Sequence, residues 1–311
     1  INPTALPTDE LLSKKSEYSS DKLFRNDDGK YKDVSETSGI VNNSLGFGLG
    51  IAIGDLNNDQ WPDIVIGQDY AEKDHLYINQ KDGTFKEVIK EATNHISNFS
   101  MGNDIGDINN DGWLDFISVD MVSNNNYDLK TSMSGMDPKR FQEMVDKGLH
   151  YQYMFNALQL NNGKMLDEGV PTFSEIAQLA RVSNTNWSWA PLFFDMNNDG
   201  WQDLFVSNGI ERAFRNNDFV IYKTKKIMQL YEDLKKTQNR DSLIEKYYEE
   251  MLAVMPKKKE VNLLFLNNKN FTFKAMSGDW NLTKPTSTNG AAYADLDNDG
   301  DLDIIGNNIN D

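Results

Sequence analysis

Short apolar runs alternate with polar turns along most of the chain. Residues 48–54, 101–106, 190–194 and 290–294 are apolar or small, and each leads into an acidic stretch. Residues 64–66, 116–119, 204–206 and 304–305 are apolar, and each follows one. Runs of this length on both sides of a polar turn predict strand, loop, strand. A second apolar element recurs at 23–26, 76–79, 158–161 and 264–267, each time opening on Leu and closing on Asn. A turn and another strand follow it, at 28–34, 82–88, 171–176 and 270–273. Asp28-Gly29 and Asp82-Gly83 are hairpin signals.

The spacing of these elements sets the organisation. From the closing Asn to the next acidic stretch is 29, 28, 34 and 28 residues, nearly constant. From an acidic stretch to the next such Asn is 24, 54 and 72 residues, so two repeats carry insertions of 30 and 48 residues. The unit is about four short strands in roughly 50 residues, the size of a β-propeller blade. The predicted class is all-β, with four-stranded propeller blades and helical insertions in two of them. The predicted boundaries are an N-terminal extension (1–21), then repeats over 22–311. These divide into a half blade (22–40), blades at 46–93, 98–180 and 186–277, and the first half of a further blade (286–311). The two half blades either complete one another in a four-bladed ring or belong to a longer propeller.

The insertions, at 121–155 and 210–260, have helical periodicity. In the first, Asp137 can cap, Pro138 suits the first helical position, Phe141, Met144 and Val145 form a stripe, and Gly148 ends it. In the second, Ile227, Leu230, Tyr231 and Leu234 recur at helical spacing. A further helix is predicted after Asn239, with Ser242 and Glu245 as a capping box and Ile244, Tyr248, Met251, Leu252 and Met255 as its face, up to Pro256.

Composition narrows the function. With 48 acidic against 31 basic side chains, the 311-residue chain carries a formal charge of −17. Such a surface repels phosphate, which argues against nucleic acid and anionic lipid as partners. Aromatic content (16 Phe, 12 Tyr, 6 Trp) is too high for a disordered acidic chain. No apolar run reaches the roughly 20 residues of a membrane-spanning helix. The absence of Cys removes disulfides and thiolate metal sites. The start at Ile1, with no leader-like stretch after it, reads as a processed or excised piece.

Four acidic stretches align as D-x-[DN]-x-D-[GQ]-x-x-D. Their oxygen donors at positions 1, 3, 5 and 9 are Asp55, Asn57, Asp59 and Asp63; Asp107, Asn109, Asp111 and Asp115; Asp195, Asn197, Asp199 and Asp203; Asp295, Asp297, Asp299 and Asp303. Such a loop can wrap Ca²⁺, which takes six to eight oxygens at about 2.3–2.6 Å in irregular geometry. Position 7 supplies a backbone carbonyl, leaving its side chain open to be Trp61, Trp113, Trp201 or Asp301. Position 6 is Gly in three loops, for the positive φ of a sharp turn, and Gln60 in the first. Asp297 replaces the Asn of the other loops, so the fourth should bind most tightly. Mg²⁺ fits less well because it demands octahedral geometry. An EF-hand needs a Glu at position 12, where this chain has Ile66, Ser118, Val206 and Gly306. Asx-rich turns without metal would account for one such loop. Four at matched strand positions favour Ca²⁺, up to four ions.

On these loops, the Gly46-Phe47-Gly48 and Gly50 run, and the Asn-turn-aromatic hairpins, the chain resembles FG-GAP (VCBS-type) repeat proteins. It is similar to the calcium-bearing blades of integrin α-subunit propellers, to bacterial surface proteins and to cartilage acidic proteins. The resemblance covers 22–308 outside the insertions and implies a propeller, usually of seven blades, with the ligands named above. It departs at the helical insertions and at Gln60.

Catalytic motifs are absent: there is no G-x-S-x-G and no H-E-x-x-H. His75, His95 and His150 are scattered and read as surface or loop residues. The expected function is a non-enzymatic, calcium-stabilised interaction module, extracellular or at the cell surface. An outer-membrane anchor would lie in a part of the protein outside this chain. If the acidic loops join strands 1 and 2, both insertions fall at the opposite end, so a protein or glycan partner is expected near 121–155 and 210–260. The alternative is a carbohydrate-binding or polysaccharide-processing propeller, in which Trp187, Trp189 and Trp280 would stack on sugar rings.

Overall fold

The computed structural model describes residues 9–15, 20–132 and 136–309. Part of the predicted 1–21 extension and residues 310–311 lie outside them. A short helix, α1 (Asp9–Ser13), precedes an antiparallel hairpin of β1 (Phe24–Asp27) and β2 (Lys30–Asp33). The first four-stranded sheet is β3 (Gly48–Gly54), β4 (Asp63–Gln68), β5 (His75–Asn79) and β6 (Phe85–Glu87), antiparallel in chain order. After α2 (Ile89–Ala92) and β7 (Ile96–Ser97) comes the second sheet. It opens with β8 (Gly102–Gly106) and β9 (Asp115–Val119), then the first insertion with α3 (Asn126–Ser132), α4 (Pro138–Asp146) and β10 (Gln152–Tyr153). It closes with β11 (Ala157–Met165) and β12 (Pro171–Glu175).

After α5 (Ala177–Ala180), the third sheet starts with β13 (Ser188–Phe194) and β14 (Asp203–Asn208). The second insertion carries β15 (Ile210–Arg212), α6 (Asn217–Leu234), α7 (Arg240–Val254) and β16 (Lys257–Lys258). The sheet ends with β17 (Leu263–Asn267) and β18 (Phe273–Ala275), and a last hairpin pairs β19 (Thr288–Ala294) with β20 (Asp303–Asn308). The described residues are thus all-β apart from the helical insertions and the short helices α1, α2 and α5. The two terminal hairpins pair within themselves and not with each other.

Strand 1 of each unit lies beside strand 1 of the next: β3 against β8, β8 against β13, β13 against β19. The approach is close enough to require glycine. A Cβ on Gly50 would lie 2.7 Å from the Gly102 Cα, and one on Gly102 would lie 1.8 Å from the Trp189 carbonyl oxygen. The apolar side chains meet between successive sheets. Leu56, Val65, Leu76 and Ile78 of the first unit pack with Phe116 and Phe173 of the second. Ile117, Val119 and Leu158 pack with Phe193, Leu204 and Val206 of the third. Phe194, Phe205 and Leu264 pack against Ala291 and Ile304 of the last hairpin. The three four-stranded sheets carry apolar side chains between them, and their second strands, β4, β9 and β14, are buried along their whole length.

The first insertion matches its sequence pattern. The Asp137 carboxylate accepts from the Lys139 and Arg140 N–H groups, Pro138 opens α4, Met144 is buried and Gly148 has φ +81°. The preceding α3 had no stripe to announce it, and none of its residues is buried. The second insertion differs in two ways. Helix α7 begins at Arg240, so Ser242 lies inside its first turn and the predicted capping box does not form. Its buried residue is Tyr247, while Ile244, Tyr248 and, on α6, Tyr231 are exposed. The reason is the α6–α7 contact: the Tyr247 hydroxyl donates to Asp233 Oδ2 (2.6 Å) and its ring faces the Lys226 ammonium.

Candidate metal centres

Each acidic loop connects strands 1 and 2 of its unit, as β3–β4, β8–β9, β13–β14 and β19–β20. The position-1 carboxylate organises the turn. Asp55 accepts the N–H of Asp59 (2.9 Å) and of Gln60 (2.7 Å); Asp107 accepts those of Asp111 (3.1 Å) and Gly112 (2.9 Å). Asp195 does the same for Asp199 (3.0 Å) and Gly200 (2.7 Å), and Asp295 accepts from Gly300 N–H (3.1 Å). Position 3 accepts from the position-5 N–H in all four loops, through Asn57, Asn109, Asn197 and Asp297. Position 5 accepts from position 7: Asp59 from Trp61 N–H, Asp111 from Trp113, Asp199 from Trp201 and Asp299 from Asp301. These bonds hold side-chain oxygens 1, 3 and 5 around one concave turn. Position 6 has positive φ throughout: Gln60 +71°, Gly112 +85°, Gly200 +82° and Gly300 +94°.

The donor set suits a hard cation. In the fourth loop, carboxylate oxygens of Asp295, Asp297 and Asp299 all lie within 4.8 Å of one another. Oxygens on one shell around Ca²⁺, at about 2.3–2.6 Å from the ion, can be no farther apart than roughly twice that radius. In the other loops an Asn amide oxygen takes the middle place, a neutral ligand of the same hardness. In the first and third loops a lysine ammonium stands at position 5: Lys81 Nζ is 3.3 Å from Asp59 and Lys269 Nζ is 3.1 Å from Asp199.

Position 9 lies outside the oxygen cluster found in the fourth loop and has a different part. Asp63 accepts from Leu56 N–H (3.0 Å) and from Asn79 N–H (2.9 Å) on strand 3. Asp115 joins Ile108 and Asn161 in the same way, and Asp203 joins Met196 and Asn267. The carboxylate ties the loop to the third strand, with lone pairs to spare. Burial pushes these carboxyls up, to about 6 for Asp63, about 7 for Asp115 and about 6 for Asp203. Among the described residues Asp303 keeps only the bond from Leu296 N–H (3.1 Å), and it is exposed.

Asparagines at two recurring positions, read in the sequence as strand ends or as spacers, stitch neighbouring units together. Position 4 is Asn58, Asn110, Asn198 and Asn298, all with φ from +55° to +59°, a region Asn tolerates better than most residues. The Asn58 amide donates to the Gly112 carbonyl (3.0 Å), Asn110 to Gly200 (2.9 Å) and Asn198 to Gly300 (3.3 Å), so the loops form a linked row. The Asn closing strand 3 reaches the other way. Asn161 donates to the carbonyls of Leu56 (2.9 Å) and Leu114 (3.1 Å); Asn267 donates to Ile108 (2.8 Å) and Gln202 (2.9 Å). The recurrence of Asn at both places was visible in the sequence; its reach into the neighbouring unit was not.

Other candidates resolve differently. His75 and His150 are buried rather than on the surface. His75 packs on Tyr77 within a strand, and burial together with the Lys73 ammonium drives its pKa well down. Trp187 and Trp189 pack against Met101 and Met121 between sheets, which leaves Trp280, 38% exposed, as the open one of the three. Among the described residues no helix is long and apolar enough to cross a membrane.

No curated protein matches the chain. The FG-GAP-like repeat family matches at residues 55–118, covering the first two loops, and at 249–306, covering the fourth. The third loop, outside both segments, makes the same hydrogen bonds as the first two. At the two matched segments the chain carries FG-GAP-like repeats.

Proposed function

We propose that the chain is part of a Ca²⁺-stabilised β-propeller, one ion to each acidic loop, that acts as a non-enzymatic interaction module outside the cell or at its surface. The observation that carries the reading is the recurrence, four times, of oxygen donors 1, 3 and 5 around one turn, with the three carboxylates of the fourth loop within a single coordination shell. The side-by-side first strands support the propeller. So do the apolar flanks of the row, Leu49, Ile51 and Ile53 at one side and Leu296 and Ile305 at the other, surfaces that further blades would cover. Loops of this kind in extracellular modules bind at about 10⁻⁴–10⁻³ M, weak enough to need the calcium level outside cells. The partner surface is the end carrying the insertions, because strands 1 and 2 turn at the acidic end and both insertions leave from the far end of strand 2.

Calorimetry with Ca²⁺ tests the reading together with melting curves in Ca²⁺ and in chelator. Each ion at about ten times its dissociation constant adds roughly 1.4 kcal/mol. Four filled loops should therefore raise the melting temperature by about 8 °C, with the Asp295–Asp303 loop filling first. An unchanged melting curve in chelator would sink the proposal.

A further inference from the structure

The position-5 carboxylate meets different neighbours in different loops. In each four-stranded sheet the Asn that closes strand 3 also opens a tight turn beside the acidic loop. Asn79 Oδ1 accepts the Lys81 N–H (2.9 Å), Asn161 Oδ1 that of Gly163 (3.0 Å) and Asn267 Oδ1 that of Lys269 (2.8 Å). The residue two places after the Asn has positive φ each time: +65° at Lys81, +60° at Gly163 and +63° at Lys269. The position-9 carboxylate pins turn and loop together, since it accepts the N–H of the same Asn. Two of the three turns thereby deliver a lysine to the acidic loop of their own unit. Lys81 Nζ lies 3.3 Å from Asp59, and Lys269 Nζ lies 3.1 Å from Asp199 and over the Trp201 ring (5.6 Å to the centroid). The second turn carries no such side chain: a Cβ on Gly163 would lie 2.9 Å from Trp113 Nε1.

An ammonium group and a Ca²⁺ ion would claim the same carboxylate. In Asp59 and Asp199 alike, Oδ1 accepts the position-7 N–H and Oδ2 faces the lysine. A divalent ion at that carboxylate repels the ammonium beside it, so filling the loop drives the lysine into solvent. Both lysine side chains are long and about half exposed (49% and 43%), so they are free to leave. We infer that Lys81 and Lys269 are built-in competitors for Ca²⁺ at the first and third loops, dividing the four loops into a tight pair and a weak pair. The inference rests on the Ca²⁺ reading above and adds the order of filling: the fourth loop with its extra carboxylate Asp297, then the second, then the first and third. Tight and weak sites alternate along the row that the position-4 asparagines link. When calcium falls, the weak pair empties first, and each lysine returns as the counter-charge of the loop the ion has left.

Calorimetric Ca²⁺ titrations of the unmodified chain, of Lys81→Gln and Lys269→Gln, and of Lys81→Arg and Lys269→Arg test this. Each Gln variant should tighten one weak site by about three- to tenfold. Each Arg variant keeps the charge and should stay within about twofold of the unmodified chain. Lysine acylation read by mass spectrometry follows the same event without a substitution. Ca²⁺ should speed the modification of Lys81 and Lys269 by about two- to fivefold, while Lys30 and Lys164, exposed elsewhere, keep their rates. An unmodified chain that binds no Ca²⁺ overturns the Ca²⁺ reading and this inference with it. Ca²⁺ binding that neither Gln variant tightens, or that Gln and Arg tighten alike, overturns this inference alone. So do acylation rates at Lys81 and Lys269 that Ca²⁺ leaves unchanged.

Discussion

The two ends of the sheets are built on opposite terms. At the acidic end, three loops repeat one hydrogen-bond scheme residue by residue, the fourth keeps most of it, and each is tied to the next by a position-4 asparagine. At the other end no two connections are alike: one holds α3 and α4, another the α6–α7 pair. Regularity at the first end follows from its task of joining units, since a side chain that must reach the neighbouring unit's backbone has one place to stand. The second end has no such repeated contact between units, and there the connections differ in length and content.

The largest effect expected at the regular end comes from the strand-3 asparagines. Asn161 and Asn267 are buried, and each donates to two carbonyls, one of them in the preceding unit. Replacing either with Ala leaves those carbonyls unpaired in the interior, at a cost of about 2–4 kcal/mol. Asn79, at the same place in the first sheet, donates to the carbonyl of Pro62 (3.1 Å), within its own unit. Asn79→Ala should cost about 1 kcal/mol. Denaturant midpoints of the three variants measure this. Equal losses would show that the asparagines hold their own hairpins and not the seam.

That seam marks where the sequence stops being legible. Strand-loop-strand units, their four-strand content and the places of both insertions followed from apolar runs and Asn spacing. The sequence pattern located the donors at positions 1, 3 and 5 because local backbone geometry alone brings them round one turn. It could not show that Asp63, Asp115 and Asp203 spend lone pairs on a strand-3 N–H, because that contact closes across 16, 46 and 64 residues. The face of α7 was misread for the same reason. Tyr247 is chosen by Asp233 and Lys226 of α6, and the helix's own stripe does not contain that information.

A smaller effect tests whether the irregular end is irregular throughout. Beneath the insertions the N–H at the end of strand 2 is capped in each sheet by an acceptor from the segment before strand 3. Gln68 N–H bonds to Asp74, Asp120 N–H to Asn156 and Asn208 N–H to Asn262. Only the first uses a carboxyl. Burial, with the Asp120 carboxylate adding to it, raises the Asp74 pKa to about 7. The folded chain therefore holds this proton more tightly than the unfolded chain, whose carboxyl titrates near 4. Stability from this group is full below about pH 4, falls as pH rises toward 7 and stays low above it. Asp74→Asn, which installs the residue of the other two sheets, should raise stability at pH 8 by about 1–3 kcal/mol and change little at pH 4.5. Melting both proteins across that range in saturating Ca²⁺ is the measurement. A constant offset would place the effect in packing rather than in the proton.

The smallest effect concerns position 6 of the first loop. Gln60 holds φ +71° at a position where the other loops have Gly112, Gly200 and Gly300. An L side chain in that region is strained by roughly 1–2 kcal/mol, while glycine there costs extra unfolded-state entropy of about 0.5–1 kcal/mol. The difference favours Gln60→Gly by about 0.5 kcal/mol. The side chain is exposed, so nothing else is lost. The reverse exchange, Gly112→Gln, places a side chain at φ +85° in open space and should destabilise by a similar amount. Denaturant midpoints at constant m report both. Opposite signs would show that position 6 acts through its backbone alone; shifts of the same sign would mean that Gln60 has a contact in the first loop that the other three lack.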